Sequence, residues 1–220
     1  QANFATGTFH DTVYVTANPH VRKQLEDSQF HDVYHLWETH WDSDLKSVHP
    51  SAVADVAREA HETYPNKRIV VHFMQPHLPF IGEWARENIG IYSGYDHSRP
   101  ADVDEDRDDW ETDPYALQAS GELTTDTIEK GYRENLKEAL VHVESLVEDV
   151  VGKVVVTSDH GELLGDVAWP YPWYDYGHPK LRSKKSLEVP WHVVENGSRR
   201  CVVSESPTRE ERSVDKQQIE

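Results

Sequence analysis

The chain has one cysteine, few basic residues and no long hydrophobic run. The lone cysteine, Cys201, excludes an internal disulfide bond and a zinc site built from two or four cysteines. Because Cys201 falls in a strand-like run, we expect it to pack rather than to react. No apolar segment reaches the about 20 residues that a membrane helix needs, so we expect no membrane span.

Basic residues are outnumbered by acidic ones. Lysine and arginine number 22 against 40 aspartate and glutamate residues, which gives a formal net charge of -18. Such a surface repels nucleic-acid phosphates and anionic membranes, so we expect neither as a partner. A heavily acidic surface suits a salt-rich cytoplasm. We therefore expect a cytoplasmic protein, with an ordinary acidic mesophilic protein as the alternative.

The length and hydrophobic pattern favour one α/β domain. We predict this domain over residues 1–206 and a charged tail over 207–220. Continuous β-branched runs and one amphipathic stripe predict strand–helix–strand, the unit of a parallel sheet. The elements of this unit are strands at Asp11–Thr16, His31–Trp37 and Arg68–Phe73 and a helix at Ser51–Tyr64.

The C-terminal half is predicted to complete the sheet. A long helix at Asp126–Val150 leads into a strand that begins at Lys153. We expect a mostly parallel sheet with helices on both faces. Leu187–Val194 and Arg200–Ser204 are predicted to form a small C-terminal hairpin around an Asn-Gly turn. Gly82–Asp113 is interpreted as a surface insertion or lid.

The segment KVVVTSDHGE, residues 153–162, is central to the functional prediction. Its valine run predicts a strand buried on both faces, and Asp159 and His160 follow that run after Thr157 and Ser158. Ligands of α/β sheets bind at the carboxyl ends of strands, so this pair indicates half of a divalent-metal site. The alternative is an aspartate that caps the next turn beside a surface histidine. Gly161 is expected to permit a tight turn.

A second motif, MQPHLPF, follows the Arg68–Phe73 strand. Two prolines bracket His77 and restrict its backbone, which would hold the imidazole in place for proton transfer. A surface-loop histidine is the alternative interpretation. His72 lies inside the strand and is expected to be packed rather than to bind a ligand.

These motifs resemble the alkaline phosphatase superfamily, and its sulfatase-like branch most of all. The resemblance spans roughly residues 68–191 and is carried, in order, by HFMQPHLPF, YRENLKEALVHVESL, VVVTSDHGELLGD, YGHP and LEVPW. The acidic composition resembles that of salt-adapted archaeal members. The resemblance implies a hydrolase of phosphate or sulfate esters that depends on a divalent ion (Zn, Mn, Ca or Mg) and acts on a small-molecule ester.

Residue roles follow from the same resemblance. Asp159 and His160 match the metal-binding pair of the family. His77 matches a histidine that contacts the transferred group or the leaving oxygen. His178 matches a downstream histidine that binds a second metal or the substrate.

The chain also departs from the family pattern. Family members begin with a strand that carries a metal-binding aspartate, followed by a Ser, Thr or Cys nucleophile, and no such strand precedes Asp11. We expect that strand to lie upstream of Gln1, although Thr6 or Thr8 is a candidate nucleophile. A non-catalytic binding domain and a phosphoglycerol- or phosphoethanolamine-type transferase are therefore alternative functions.

Overall fold

A computed structural model describes residues 7–23, 25–92, 113–167, 174–177 and 183–208. Within these ranges, no helix combines the length and the apolar character needed to cross a membrane. The elements in chain order are β1 (Phe9–Thr16), 3₁₀ turns at Pro19–Lys23 and Asp27–Gln29, β2 (Phe30–His35), α1 (Leu36–Thr39), β3 (Trp41–Asp42), β4 (Ser47–Val48), α2 (Pro50–Thr63), β5 (Arg68–His72), α3 (Glu83–Asn88), α4 (Pro114–Ser120), α5 (Thr125–Asp149), β6 (Gly152–Thr157), β7 (Leu163–Val167), β8 (Tyr174–Gly177), α6 (Lys184–Leu187) and β9 (Trp191–Asn196).

A three-stranded parallel sheet organises the N-terminal part. Its order is β2-β1-β5, with Thr16 of β1 in register with His35 of β2 and His72 of β5. The carboxyl ends of all three strands therefore meet at one edge. The predicted strand–helix–strand unit is confirmed.

The central strand β1 is buried on both faces because its side chains alternate. Val13 and Val15 pack with Val53 and Val56 of α2, whereas Tyr14 packs on the other face with Phe30 and Val33. Each face thus has its own apolar cluster, and β1 contributes to both.

Two long helices, α2 and α5, match their predicted positions. The His49 side chain accepts a hydrogen bond from Ser51 N at the start of α2, and Pro50 occupies its first turn. Thr124 accepts from Thr127 N at the start of α5. The helices pack together, and Arg58 of α2 donates to Asp149 Oδ2 (2.6 Å) of α5.

The prediction for β6 was wrong in two respects. Its described partner is β9, which runs antiparallel to it, and Val154, Val155 and Val156 are only half-buried. The predicted hairpin of 187–194 with 200–204 was also wrong. The turn does occur, with Gly197 at φ +82°, but the strand before it pairs with β6 because long-range contacts decide strand partners.

The segment after β9 crosses the opposite edge of the parallel sheet. Val203 N donates to Asn66 O (2.9 Å), Glu205 N to His10 O (3.0 Å) and Thr208 N to His31 O (2.8 Å). These contacts reach two residues into the predicted tail. Cys201 belongs to no strand and is exposed, so the expectation that it packs was wrong.

The expected insertion at Gly82–Asp113 contains a helix, α3, at its start. Residues 93–112, with the acidic cluster at Asp102–Asp109, lie outside the described residues. The chain is therefore an α/β protein in which a small parallel sheet, antiparallel strand pairs and helices are combined.

Candidate functional site

Asp159 and His160 follow β6 directly and face each other. His160 Nε2 lies 3.6 Å from Asp159 Oδ2. Two ligand atoms on a tetrahedral zinc ion lie about 3.3 Å apart, given metal–ligand bonds of about 2.0–2.1 Å. The pair is thus close to the spacing that a shared cation requires.

The tautomer of His160 suits metal binding. Its Nδ1 lies 3.1 Å from the carbonyl oxygen of Gly161, which accepts a hydrogen bond when Nδ1 carries the proton. Nε2, on the Asp159 side, then carries the lone pair. Metal-binding histidines commonly hold their second nitrogen in this way. The two side chains supply half of a four-ligand shell.

Gly161 is required for a reason other than the one expected. Its φ is not positive, but a Cβ at this position would overlap the carbonyl oxygen of Lys185 in α6. Gly161 N also donates to Ser186 O (3.1 Å). The backbone of α6 therefore packs directly on the turn that carries Asp159 and His160.

A buried carboxylate, Glu162, lies behind this pair. Its side chain is 6% exposed, and its Oε2 is 4.0 Å from His160 Nδ1. Tyr115 donates to Glu162 Oε1 (3.2 Å). Burial, followed by the charges of Glu162 and Asp159, raises the pKa of Tyr132 to about 12, so this tyrosine stays protonated at neutral pH.

The carboxyl end of β5 lies within electrostatic reach of the pair. Burial lowers the pKa of His72, the charge of Asp159 partly opposes this shift, and His160 adds to it. Tyr14 Oη lies 2.7 Å from His72 Nδ1, and the two rings stack. His72 is therefore a packed, neutral imidazole whose pKa responds to the charge of Asp159.

The loop that carries His77 is held by one fully buried side chain, Asn135 of α5. Asn135 Nδ2 donates to the carbonyls of Pro76 (3.0 Å), His77 (2.9 Å) and Pro79 (3.2 Å), and Asn135 Oδ1 accepts from Ile81 N (3.0 Å). The Gln75–Pro76 and Leu78–Pro79 peptide bonds are cis. His77 Nδ1 lies 3.0 Å from Leu78 O. The loop follows β5 and starts at the same edge of the sheet as His72.

Of the remaining predicted residues, the structure describes only Thr8. His178 and Thr6 lie outside the described residues. Thr8 precedes β1, whereas His72 is aligned with the far end of that eight-residue strand. At about 3.3 Å per residue, Thr8 lies about 25 Å from that edge, which is too far for its hydroxyl group to reach a group bound there.

A second group of metal-type ligands was not predicted from the sequence. His49, Glu138 and His142 offer ligand atoms that all lie within 4.8 Å of one another. Glu138 and His142 are four residues apart on α5, a spacing that places both on one helix face. That spacing was a usable signal, but the third member, His49, is distant in sequence.

Comparisons of the chain with protein-family models, with curated proteins and with solved structures give no significant match. The functional assignment therefore depends on the motifs and on the geometry described above.

Proposed function

We propose that the protein is a metal-dependent hydrolase of phosphate or sulfate esters of the sulfatase-like type. Asp159 and His160 would bind the divalent ion, which would polarise the ester oxygen and lower the pKa of a bound nucleophile. The observation that carries the proposal is the 3.6 Å separation of Asp159 Oδ2 and His160 Nε2 immediately after a strand. The Gly161 carbonyl supports it by favouring the tautomer that binds a metal ion.

His77 is the proposed contact to the anionic group of the ester. The loop that carries it follows β5, which ends at His72. Burial lowers the pKa of His72, and the charge of Asp159 partly opposes this shift. Four hydrogen bonds of Asn135 fix this loop against α5, so the imidazole is presented from a rigid backbone. His178 keeps its predicted role as a second contact to the metal or the substrate.

We further infer that the β6–β9 pair, although hydrogen-bonded separately from the three-stranded sheet, ends at the same edge as β5, so that the two together approach the mostly parallel sheet with helices on both faces of alkaline phosphatases. The influence of Asp159 on His72 supports a common edge for the two sets of strands. Asn196 of β9 also donates to Glu148 O (3.1 Å) at the end of α5, the helix that packs on α2. A crystal structure in which Asp159 and His72 lie at opposite edges of the molecule's strands would contradict this inference.

Turnover of p-nitrophenyl phosphate and p-nitrophenyl sulfate, with added Mn²⁺ or Zn²⁺, tests the function. Hydrolysis by the wild type with a loss of at least about 100-fold in Asp159→Asn would support the proposal, because a metal supplies several kcal/mol of transition-state stabilisation. Asp44→Asn, an exposed aspartate in the turn between β3 and β4, is the matched control and should retain full activity.

A binding module of the same fold is the second candidate. The location of Thr8, at the opposite end of β1 from His72, favours it because Thr8 is the candidate nucleophile that lies among the described residues. Metal binding without turnover of either ester would support this candidate. Transfer of the phosphoryl-containing group to an added alcohol, seen by product analysis, would instead indicate the transferase.

A further inference from the structure

Three side chains from two helices converge away from the Asp159–His160 pair. His49 is the residue immediately before α2, and Glu138 and His142 are one turn apart on α5. His49 Nε2 lies 3.7 Å from Glu138 Oε1, and the rings of His49 and His142 are 5.4 Å apart at an angle of 76°. All three ligand atoms lie within 4.8 Å of one another. We call this group the α2–α5 cluster.

The packing of the two helices fixes the position of the cluster. Further along the same contact, Arg58 donates to Asp149 Oδ2 (2.6 Å) and to Ser145 Oγ (2.8 Å). The helices therefore run in the same direction, and the cluster lies where their contact begins. The three side chains of the cluster therefore meet because the two helices pack together, and not because one flexible surface side chain reaches the other two.

The donor set has the chemistry of a transition-metal site. Two imidazole nitrogens and one carboxylate oxygen are ligands that Zn²⁺ binds readily, with water as the fourth ligand. The three residues are half-buried, so an ion can enter and keep a water molecule. A carboxylate beside two imidazoles also offsets part of the positive charge of the ion.

His49 already has a partner for its second nitrogen. His49 Nδ1, which caps α2 by accepting from Ser51 N, also lies 2.8 Å from Ser51 Oγ, which accepts a hydrogen bond when Nδ1 carries the proton instead. Nε2 then directs its lone pair toward Glu138, as in metal-binding histidines oriented by a neighbour. In the opposite tautomer, Nδ1 accepts from Ser51 N (3.2 Å) and Nε2 donates toward Glu138, which is a metal-free ion pair. The two arrangements differ in whether the cluster binds metal.

We propose that His49, Glu138 and His142 form a Zn²⁺-type metal site, distinct from the Asp159–His160 pair, that links the start of α2 to the middle of α5. Asn135, which holds the His77 loop, is one turn before Glu138 on α5. A metal at the cluster would therefore restrain the helix from which that loop is held.

Calorimetric titration of the metal-stripped full chain with Zn²⁺ tests the proposal. We expect His142→Gln and Glu138→Gln each to abolish one Zn²⁺ equivalent or to weaken it at least about tenfold, since even neighbours of ligands affect affinity by about 10–100-fold. His40→Gln and Glu144→Gln, exposed histidine and glutamate residues outside the cluster, are the matched controls. Circular dichroism establishes that each variant is folded.

The Asp159→Asn variant separates this site from the proposed function. The α2–α5 cluster should bind Zn²⁺ equally well in that variant, and Zn²⁺ should still raise its unfolding temperature. His142→Gln should lose that part of the thermal shift. Zn²⁺ binding that is unchanged in both His142→Gln and Glu138→Gln, or binding that disappears with Asp159→Asn alone, would overturn the proposal. Absence of Zn²⁺ binding to the wild type would overturn it as well.

Discussion

The central strand β1 and the strand β6 have similar valine-rich sequences but very different surroundings. β1 lies between two strands, is covered by α2 on one face and by Phe30 on the other, and its valines are fully buried. β6 has one described partner, β9, whose Trp191 is 71% exposed. The difference shows that neighbours, not strand composition, determine burial.

The residues that stabilise the fold and the residues proposed to carry the chemistry therefore lie in different regions. The parallel sheet and the helices packed on it hold most of the buried core, whereas the Asp159–His160 pair follows the thinly covered strand β6. Local contacts hold that pair, including the hydrogen bond from Thr157 Oγ1 to Pro190 O (2.7 Å) and the packing of α6 on Gly161. Substitutions in the two regions should therefore have different effects.

The largest difference is expected between core truncations in the two regions. Leu36→Ala, at a residue 1% exposed in the cluster around β1, should lower the free energy of unfolding by about 2–5 kcal/mol. Val193→Ala in β9, where the side chain is 39% exposed, should change it by about 0.5 kcal/mol or less. Urea denaturation measures both, and equal losses would remove the contrast.

Asn135 is expected to be the next most sensitive position, because it joins the His77 loop to α5. Asn135→Ala leaves the buried Ile81 N without its acceptor and should lower the free energy of unfolding by about 2–3 kcal/mol. Asn88→Ala, an exposed asparagine of α3, is the control and should have little effect. Amide hydrogen exchange at Ile81 should accelerate in the Asn135 variant. An unchanged rate would show that the hydrogen bonds of Asn135 do not hold the His77 loop in place.

Gly161→Ala tests the local support of the Asp159–His160 pair. The added Cβ displaces the Lys185 carbonyl, so we expect α6 to move away from the turn at a cost of about 1–3 kcal/mol. Amide exchange should rise in α6 and at Gly161 while the strands β1 and β5 keep their protection. Loss of protection throughout the parallel sheet would show that the two regions unfold as one unit.

The smallest expected effect on stability is that of His61. This residue links the last turn of α2 to Val151, the residue before β6. Its Nε2 accepts a hydrogen bond from Val151 N (3.2 Å), and burial, then the charge of Arg200, lowers its pKa. Below about pH 6.5 the unfolded chain binds this proton more readily than the folded chain, so stability falls as the pH falls. The contribution should be below about 1 kcal/mol because the ring is only partly buried.

Unfolding free energies of the wild type and His61→Gln at pH 7.0 and pH 5.5 measure that contribution. The wild type should lose slightly more stability between these values than the variant. An identical loss in both proteins would mean that the Val151 hydrogen bond does not depend on the protonation of His61.

The elements that were predicted correctly are those with a strong local pattern. The stripe of Val53, Val56 and Ala60 predicted α2. The alternating sequence of residues 11–16 predicted β1, and the β-branched run of residues 68–73 predicted β5. The pairing of β6 with β9 could not be predicted, because a turn signal at Asn196 fixes a reversal but not the partner strand. The requirement for glycine at position 161 could not be predicted either, because it depends on the close packing of α6, which is distant in sequence.

The two candidate sites also differ in how far the sequence could predict their residues. Asp159 and His160 are adjacent in the chain, so their proximity was readable from the sequence. The α2–α5 cluster and the influence of Asp159 on His72 depend on tertiary packing, which brings distant residues together. Local spacing on α5 indicated two of the three cluster ligands but gave no sign of His49.

The central claim is that Asp159 and His160 hold a divalent cation. Equilibrium dialysis of the purified protein against Mn²⁺, an ion that favours carboxylate ligands, measures this directly in the wild type and in Asp159→Ala. We predict that the variant loses the Mn²⁺ bound by the wild type, while His142→Gln retains it. Equal Mn²⁺ content in the wild type and in Asp159→Ala would contradict the assignment.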